Sequence, residues 1–491
     1  MFRDKPARLA IGFLGLTLAV SACSLGPGHS AVAQQDLRRV GCPDDIESDL
    51  VIPHACFLLR VPADWRHPGK RQVNVFVGRL SPPGKASADP VLVLGNNVGD
   101  TSHYAGFAAG PGRTHRVFYV LEPRGTGHST PSLACPETHR LSTTTPDLVP
   151  QLRRAVRSCR NRLLREGVNP RLQDLGAVAA DANALRQALH LSEWNLLAIG
   201  SASHYAVAIA RSYPASTRAM ILDSPDTLQA VGAPEAGIAL TAAWQNLVDD
   251  CKTQPTCQHS YPTLATLWGR TAARLASHPI VVTDGGSQRV LDDEGLARLV
   301  RSYLAGPGPG APGELPGVLR TLLHGQLPPA AQERLTDDHD VCCGYRTECG
   351  DHASALGAYL TVMCRTTATR ADSRPSPTLP PGMAALDKDN PYRSACAEWG
   401  EQPAEPANTA PAGIPSLALT GALDPFAAGG IDAGQAIGKG HFLVEFPGQT
   451  HNALGFDDCP IDVRNAWLDD PKNPPSTACV RQLPPLPFTL S

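Results

Sequence analysis

Apolar and polar positions along the chain follow two periods, which predict two kinds of secondary structure. Residues 51–62 and 71–80 alternate one by one, as expected for strands with one buried face. Residues 175–189 carry apolar side chains at helical spacing, and residues 205–212 form a second helical segment rich in small residues. Short, mostly apolar runs predict buried strands at 90–94 and 195–199 and another strand at 116–121. Strands that alternate with helices predict an α/β protein with a mostly parallel sheet.

The pattern changes after residue 225. Helical patterns, as in 239–248 and 261–276, alternate with segments rich in proline and glycine until about residue 404. Strand patterns return at 414–423 and 441–446. We therefore predict a core built from two parts, residues 41–225 and 405–491, with a mainly helical cap inserted at 226–404.

The strand at 195–199 and the small-residue helix are joined by a very short turn. A strand, a sharp turn and such a helix predict a nucleophile elbow, in which the nucleophile has positive φ and small residues lie two positions to either side. Centring this pattern on Gly200 puts Ala198 and Ala202 at the flanks. Centring it on Ser201 puts the bulky, β-branched Ile199 there instead. Sterics therefore favour glycine at the position expected for a nucleophile.

The segment 194–214, followed by R-A-M-I-L-D-S-P at 218–225, resembles the secreted tripeptidyl-aminopeptidase and proline-iminopeptidase-like branch of the α/β-hydrolases. In that family the segment runs roughly W-N-L-Y-G-G-S-Y-G-T, and a gapless alignment places Gly200 on the family's serine. The turn E-P-R-G-T-G-H-S at 122–129 and the position of Asp181 resemble the same family. The resemblance implies an α/β-hydrolase fold, with a mostly parallel central sheet, helices on both faces and a cap that selects the substrate.

The same resemblance assigns an acid and a base. Asp424 follows a predicted strand in a G-x-x-D-P context, and His451 follows the next strand, where the family has its triad residues. The chain order of nucleophile, acid and base is that of the α/β-hydrolases. From the residues alone, Asp424 is also consistent with a turn cap and His451 with a surface histidine.

The loop after strand 90–94 supplies one backbone N–H of the oxyanion hole in this fold, and the residue after the nucleophile supplies the other. The family has G-G-P-G in this loop, whereas the chain has N-N-V-G at 96–99. The candidate oxyanion-hole donors are therefore the amides of Asn97, Val98 and Ser201. An ordinary loop is the alternative interpretation.

Two functions are compatible with these residues. The first is a hydrolase-fold protein that lacks normal serine catalysis and is kept for binding or as a scaffold. The second is a serine hydrolase in which Ser201 acts from a shifted register on short peptides, from their N-termini, or on small esters or amides. Ser203 is a weaker candidate nucleophile, because it would lie inside the first helical turn, where an N-cap role is favoured.

The N-terminus predicts export. A short basic segment and an apolar run at 9–20 precede V-S-A-C, a lipobox ending at Cys23. We expect a signal peptide at 1–22, lipidation of Cys23 and a flexible tether at 23–40, so that the chain is anchored to the bacterial cell envelope or secreted. A plain secretory signal and a membrane anchor are the alternatives. A net charge of −3 gives no electrostatic case for nucleic-acid binding, and no motif predicts a cofactor.

Fourteen cysteines fit an oxidising compartment. Proximity and the family resemblance suggest five disulfides: Cys42–Cys56, Cys135–Cys159, Cys251–Cys257, Cys364–Cys396 and Cys459–Cys479. Among Cys342, Cys343 and Cys349, a disulfide with one spare thiol is favoured. A metal site with His339 and His352 is the alternative, although the spacing matches no zinc pattern. We predict no metal site.

Overall fold

The computed structural model describes most of the chain after residue 35. The described residues belong to one compact unit. They are 36–44, 46, 54–82, 86–87, 89–95, 115–138, 141, 147–225, 235–284, 287–305, 310–336, 355–366, 382, 391–400, 411, 413–426, 441–455 and 457–490. Several sequence predictions lie outside this set: the signal peptide, Cys23, the loop 96–99 with Asn97 and Val98, and Cys342, Cys343 and Cys349.

The described strands form a nine-stranded sheet and a separate two-stranded hairpin. The strands are β1 (Asp36–Val40), β2 (His54–Pro62), β3 (Gln72–Leu80), β4 (Val91–Leu94), β5 (Phe118–Leu121), β6 (Trp194–Ile199), β7 (Thr217–Asp223), β8 (Ile280–Asp284), β9 (Ser287–Leu291), β10 (Ser416–Gly421) and β11 (Phe442–Phe446). In the large sheet the order is β1-β2-β3-β5-β4-β6-β7-β10-β11, and the hairpin pairs β8 with β9.

Strand direction divides the large sheet into two parts. β1, β2, β3 and β5 pair antiparallel in that order. From β5 through β4, β6, β7, β10 and β11 every pair is parallel. A mostly parallel sheet with this strand order confirms the predicted α/β-hydrolase fold class. The carboxyl ends of β6, β7, β10 and β11 therefore lie along one edge, where such folds place their functional residues.

Both faces of the sheet are covered, which explains the mostly apolar runs. Alternate residues of β4 divide between two clusters, Leu92 and Leu94 in one, Val91 and Val93 in the other. The helices at 175–188 and 203–212 complete the first cluster, and the helix at 458–469 completes the second. The helices are α1 (Leu148–Arg165), α2 (Leu175–Ala188), α3 (Ser203–Ser212), α4 (Glu235–Thr253), α5 (Pro255–Ser260), α6 (Leu264–Ser277), α7 (Asp293–Ala305), α8 (Gly310–Leu323), α9 (Pro329–Thr336), α10 (Leu356–Thr366), α11 (Pro391–Trp399) and α12 (Asp458–Asp469).

Helices α4 to α11 and the β8–β9 hairpin lie between β7 and β10 in the chain. Apolar side chains from α4 to α9 form a core of their own, which also includes Leu423 and Leu486. The insertion is thus largely helical, and its core reaches the turn after β10. Among the described helices, none is long and apolar enough to cross a membrane.

The end of the predicted tether is ordered. Residues 36–40 form β1, which pairs with β2 along its whole length, so the expectation of a flexible segment up to residue 40 is wrong for these residues. Leu37 packs against the sheet core and Val40 against a small cluster around Ile46. Strand pairing and these two contacts order a segment that looks polar in sequence.

Five disulfides tie the described chain together, and they are the five pairs that the sequence suggested. Two of them link the core to itself near its termini, Cys42–Cys56 and Cys459–Cys479. Cys364–Cys396 joins α10 to α11 within the insertion.

Candidate active site

The elbow turn has a left-handed residue at its apex. Ile199 ends β6 in an extended conformation, and Gly200 follows with φ of 56°. Gly200–Ala202 then form a single 3₁₀ turn that leads into α3. Non-glycine residues rarely adopt positive φ, which is the strained conformation expected of the nucleophile in an elbow. The flanking Ala198 and Ala202 are completely buried, as the close approach of strand and helix requires.

Two serines follow this apex, and neither has its backbone conformation. Ser201 is partly exposed and lies outside the positive-φ region, within the 3₁₀ turn. Ser203 is fully buried and is the first residue of α3, with φ of −51° and ψ of −34°. The N-cap position belongs to Ala202, so the N-cap interpretation of Ser203 is wrong by one residue. The 3₁₀ turn before α3 causes this displacement, because it moves the start of the α-helix.

The structure brings Asp424 and His451 together. Nδ1 of His451 lies 3.0 Å from Oδ2 and 3.2 Å from Oδ1 of Asp424. The carboxylate is buried, whereas the imidazole remains about one-sixth exposed, at 17%. An ionised carboxylate only accepts hydrogen bonds, so this contact places the proton of a neutral imidazole on Nδ1 and leaves Nε2 as an acceptor. A base in this tautomer can remove a proton from a group that binds beside it.

The turns that carry these two residues are packed together at Gly421, the last residue of β10. A Cβ atom there would collide with the carbonyl oxygens of Gln449 and Thr450. The N–H of Leu423 also donates to the Gln449 carbonyl at 2.9 Å. Glycine at 421 thus permits the close contact that aligns the acid with the base.

The turn after His451 is fastened to the end of β7 by two polar side chains. Asp223 accepts hydrogen bonds from the N–H groups of Ala453 at 2.9 Å and Leu454 at 3.1 Å. Ser224 accepts one through Oγ from the N–H of Asn452 at 2.9 Å. In the sheet, Asp223 pairs with Ile199, the residue before Gly200. The His451 turn is therefore held one strand away from the elbow.

Asp223 is completely buried, and its electrostatic surroundings are unusual. Burial raises its pKa to about 6, opposed by the backbone N–H donors and the charge of His451. Burial also lowers the pKa of Arg464 to about 10, opposed by the negative charge of Asp223. Arg464 comes from α12 and lies over the ring of Phe118 at 5.4 Å. Asp223 and Arg464 are thus two completely buried groups of opposite charge that interact electrostatically.

The R-G-T-G turn at 124–127 is held from inside the protein by buried polar contacts. Arg124 donates through Nε to Asp181 at 2.6 Å and through Nη2 to the same carboxylate. Trp65 donates to Asp181 as well, at 2.8 Å. Both charged side chains are almost completely buried, and the guanidinium also reaches the carbonyls of Ala63, Pro62 and Leu172. Burial raises the pKa of Asp181, and the charge of Arg124 opposes this.

Three further residues connect the Asp424 turn to the inserted helices. Phe426 donates its backbone N–H to Oδ1 of Asp424 at 2.9 Å, and its ring meets the imidazole of His451 edge-on, with centroids 4.9 Å apart. Arg301 of α7 places its guanidinium carbon 5.7 Å from the centroid of the Phe426 ring. Asn246 of α4 donates to the carbonyl of Ala422 at 2.7 Å. The insertion thus contacts the Asp424 turn directly.

Sequence reasoning missed four residues of this arrangement: Asp223, Ser224, Arg301 and Phe426. The D-S-P motif at 223–225 was the available signal for the first two, since it stands at the end of a buried strand beside the elbow. No local pattern marks Arg301, because its contact with Phe426 joins residues far apart in the chain.

Among the described residues, one group could formally supply three metal ligands: Cys135, Glu137 and Cys159. Its two sulfur atoms are bonded to each other in a disulfide, so neither is available as a thiolate. The group therefore does not fit a metal ion.

No protein-family model matches the chain, and no curated protein matches it significantly. Among solved structures, it is similar to a proline iminopeptidase from Mycobacterium smegmatis, with 14% identity, a TM-score of 0.34, and coverage of 84% of this chain and 94% of that one. It is also similar to a probable hydrolytic enzyme from Pseudomonas aeruginosa, with 13% identity and a TM-score of 0.37. That match covers 86% of this chain and 95% of the other. A third similar structure is a thermophilic esterase from Thermogutta terrifontis, with 12% identity and a TM-score of 0.34. The match covers 84% of this chain and 99% of the other. We draw no activity or substrate from similarities this low.

Proposed function

We propose that this chain is an exported, lipid-anchored protein that uses a hydrolase-type site to bind a ligand and lacks normal serine catalysis. One observation carries the proposal. Gly200 occupies the left-handed apex of the elbow after β6, while Asp424 and His451 are aligned with each other after β10 and β11 of the same parallel sheet.

Acyl transfer by a triad needs a hydroxyl, a base that deprotonates it and an acid that orients the base. His451 and Asp424 have the geometry of the base and of the acid that orients it. Glycine at the apex supplies no hydroxyl, and removal of a triad nucleophile typically lowers the rate by several orders of magnitude. Ser201 follows the apex with a different backbone conformation, which argues against a simple exchange of roles.

The proposed ligand is a small molecule bound at the dyad. Helices α4 and α7 of the insertion contact the turn after β10 through Asn246 and Arg301, so a ligand at the dyad would lie near the inserted helices. We propose a short peptide or a small ester or amide as the ligand class. Such a ligand would be bound by the acid–base pair without being consumed by acyl transfer.

The proposed location rests on the N-terminal lipobox. Acylation of Cys23 would tether the folded unit to the cell envelope. The five disulfides are compatible with export, because disulfides persist in oxidising compartments. Mass spectrometry of the membrane fraction tests the anchor: a diacylated Cys23 is expected in the wild-type chain and should be absent from Cys23→Ala.

Fluorophosphonate labelling of the purified protein tests the loss of catalysis. We expect no labelling of the wild type and clear labelling of Gly200→Ser, because the substitution returns a hydroxyl to the apex of the elbow, where a triad nucleophile lies. A Gly200→Ser/His451→Ala variant is the matched control, since it keeps the new hydroxyl and removes the base.

The alternative hydrolase has a distinct signature in the same assay. Labelling of the wild type that disappears in Ser201→Ala would overturn the proposal and identify Ser201 as the nucleophile. Equal labelling of Gly200→Ser and Gly200→Ser/His451→Ala would show that His451 does not act as the base for a hydroxyl at position 200.

A further inference from the structure

We propose that Arg301 makes this site selective for ligands that carry a carboxylate. The inference rests on the proposed function, because it names the chemistry of the ligand bound at the same site. It follows from the surroundings of one cationic side chain, on a helix of the insertion, at the edge of the acid–base pair.

Arg301 reaches the dyad through a single aromatic ring. Its guanidinium carbon is 5.7 Å from the centroid of Phe426, within the distance of a cation–π contact. The same ring is 4.9 Å from the imidazole of His451, and the Phe426 backbone is bonded to Asp424. Arg301 is therefore one ring away from the base that a ligand would meet.

The charge of Arg301 is not matched within the described part of the protein. The side chain is half-buried, its Nε is buried without a hydrogen-bond partner, and no described carboxylate lies within ion-pair distance. The charge of Arg298, one turn earlier on α7, is matched, because its Nη2 lies 3.6 Å from Oε2 of Glu294. A partly desolvated cation without a counter-ion is costly, and a bound anion would offset that cost.

A carboxylate fits this position better than a phosphate. One planar guanidinium can hold one carboxylate through two parallel hydrogen bonds. Phosphate sites usually combine several donors, such as a helix N-terminus or a nest of backbone N–H groups. A neutral ligand would leave the charge of Arg301 unmatched. The expected ligand is a small organic acid or a short peptide that places its carboxylate on Arg301 and its remainder beside Phe426 and His451.

Calorimetric titration with a matched pair of probes tests this inference on the full-length protein. The probes are 4-phenylbutyrate and 4-phenylbutyramide, which differ only in the charged group. We expect the wild type to bind the acid about ten-fold or more tightly than the amide, as one charge-assisted contact would give. Arg301→Gln should bind the two probes equally, and Arg301→Lys should recover part of the preference. Arg298→Gln removes the same charge from the same helix and should keep the wild-type ratio.

Three results would overturn the inference: equal affinities of wild type for the two probes, no binding of either probe, or an unchanged preference in Arg301→Gln. A role in packing alone would lower the Tm of Arg301→Gln while the wild type showed no preference. The test is separate from that of the proposed function. Fluorophosphonate labelling of the wild type would overturn the loss of catalysis, whereas the acid-to-amide ratio would still decide the role of Arg301.

Discussion

The backbone N–H of Ala453 donates a hydrogen bond to the carboxylate of Asp223 over 2.9 Å. A second bond from Leu454 reaches the other oxygen of the same group. Since Asp223 also pairs with Ile199 in the sheet, this buried carboxylate links the His451 turn to the strand that leads into the elbow. It holds the turn that carries His451, although it is not one of the residues that the family resemblance assigns to the site.

Asp223 should make stability depend on pH between about 4 and 6. Its folded pKa is raised by burial from 3.8 to about 6, so its contribution to stability is fully present below pH 3.8 and is lost as pH rises through 6. For this shift the loss is roughly 3 kcal/mol. Urea unfolding at several pH values should show this slope in the wild type and a flatter one in Asp223→Asn. Asp249→Asn, at an exposed site, should keep the wild-type slope, and an unchanged slope in Asp223→Asn would refute the assignment.

Asp424 should be needed for any reactivity that Gly200→Ser gains. Its contact with Nδ1 fixes the tautomer of His451, and an asparagine there would favour the wrong one. We expect Gly200→Ser/Asp424→Asn to react with a fluorophosphonate about 10³-fold to 10⁴-fold more slowly than Gly200→Ser. Second-order labelling rates measure this, with circular dichroism as a check on folding. Comparable rates in the two variants would mean that Asp424 does not orient the base.

The protein should be more stable with glycine at position 200 than with any other residue there. At φ of 56°, a Cβ atom costs about 1–2 kcal/mol. Gly200→Ala should therefore lower the free energy of unfolding by about that amount. Gly269 lies inside α6, with nothing within 4 Å of a Cβ built there, so Gly269→Ala should stabilise the protein by about 0.5–1 kcal/mol. Chemical denaturation of both variants tests the contrast, and a stabilised Gly200→Ala would contradict the left-handed apex.

Arg124→Lys should destabilise the protein severely even though the charge is kept. Lysine cannot reproduce the fork that binds Asp181 and the carbonyls of Ala63, Pro62 and Leu172 together. A broken buried pair costs about 3–5 kcal/mol, so we expect a loss approaching that range. The control is Arg66→Lys, an exposed arginine paired with Asp174, which should change stability by less than about 1 kcal/mol. A similar Tm for both variants would show that the Arg124 network is not essential.

Much of the fold could be predicted because local patterns and chain order determine it. Runs at 90–94, 116–121 and 195–199 correspond to β4, β5 and β6, and the helix expected at 175–189 is α2. The strands β4, β5 and β6 are apolar on both sides because both faces of the sheet are buried. The strand β1 could not be predicted in this way, because its sequence is largely polar. It forms a strand because it is hydrogen-bonded to β2.

The sequence predicts only those site residues that directly follow a strand in the chain. Asp424 and His451 each follow a strand, and the sequence shows this directly. The roles of Asp223 and Arg301 depend on contacts between distant segments, 230 residues apart for Asp223 and Ala453. Side chains that meet across the fold leave no period or spacing in the sequence.

The left-handed conformation of Gly200 also bears on how this site could have evolved. An elbow serine is selected for chemistry against a conformational cost, whereas glycine adopts the same backbone at no cost. Once a lineage no longer depended on hydrolysis, selection for folding would favour the exchange instead of opposing it. Serine and glycine codons can differ by a single base, so the path is short in both directions. On the proposed loss of hydrolysis, a nucleophile could return to this position through one substitution and without a change in the backbone.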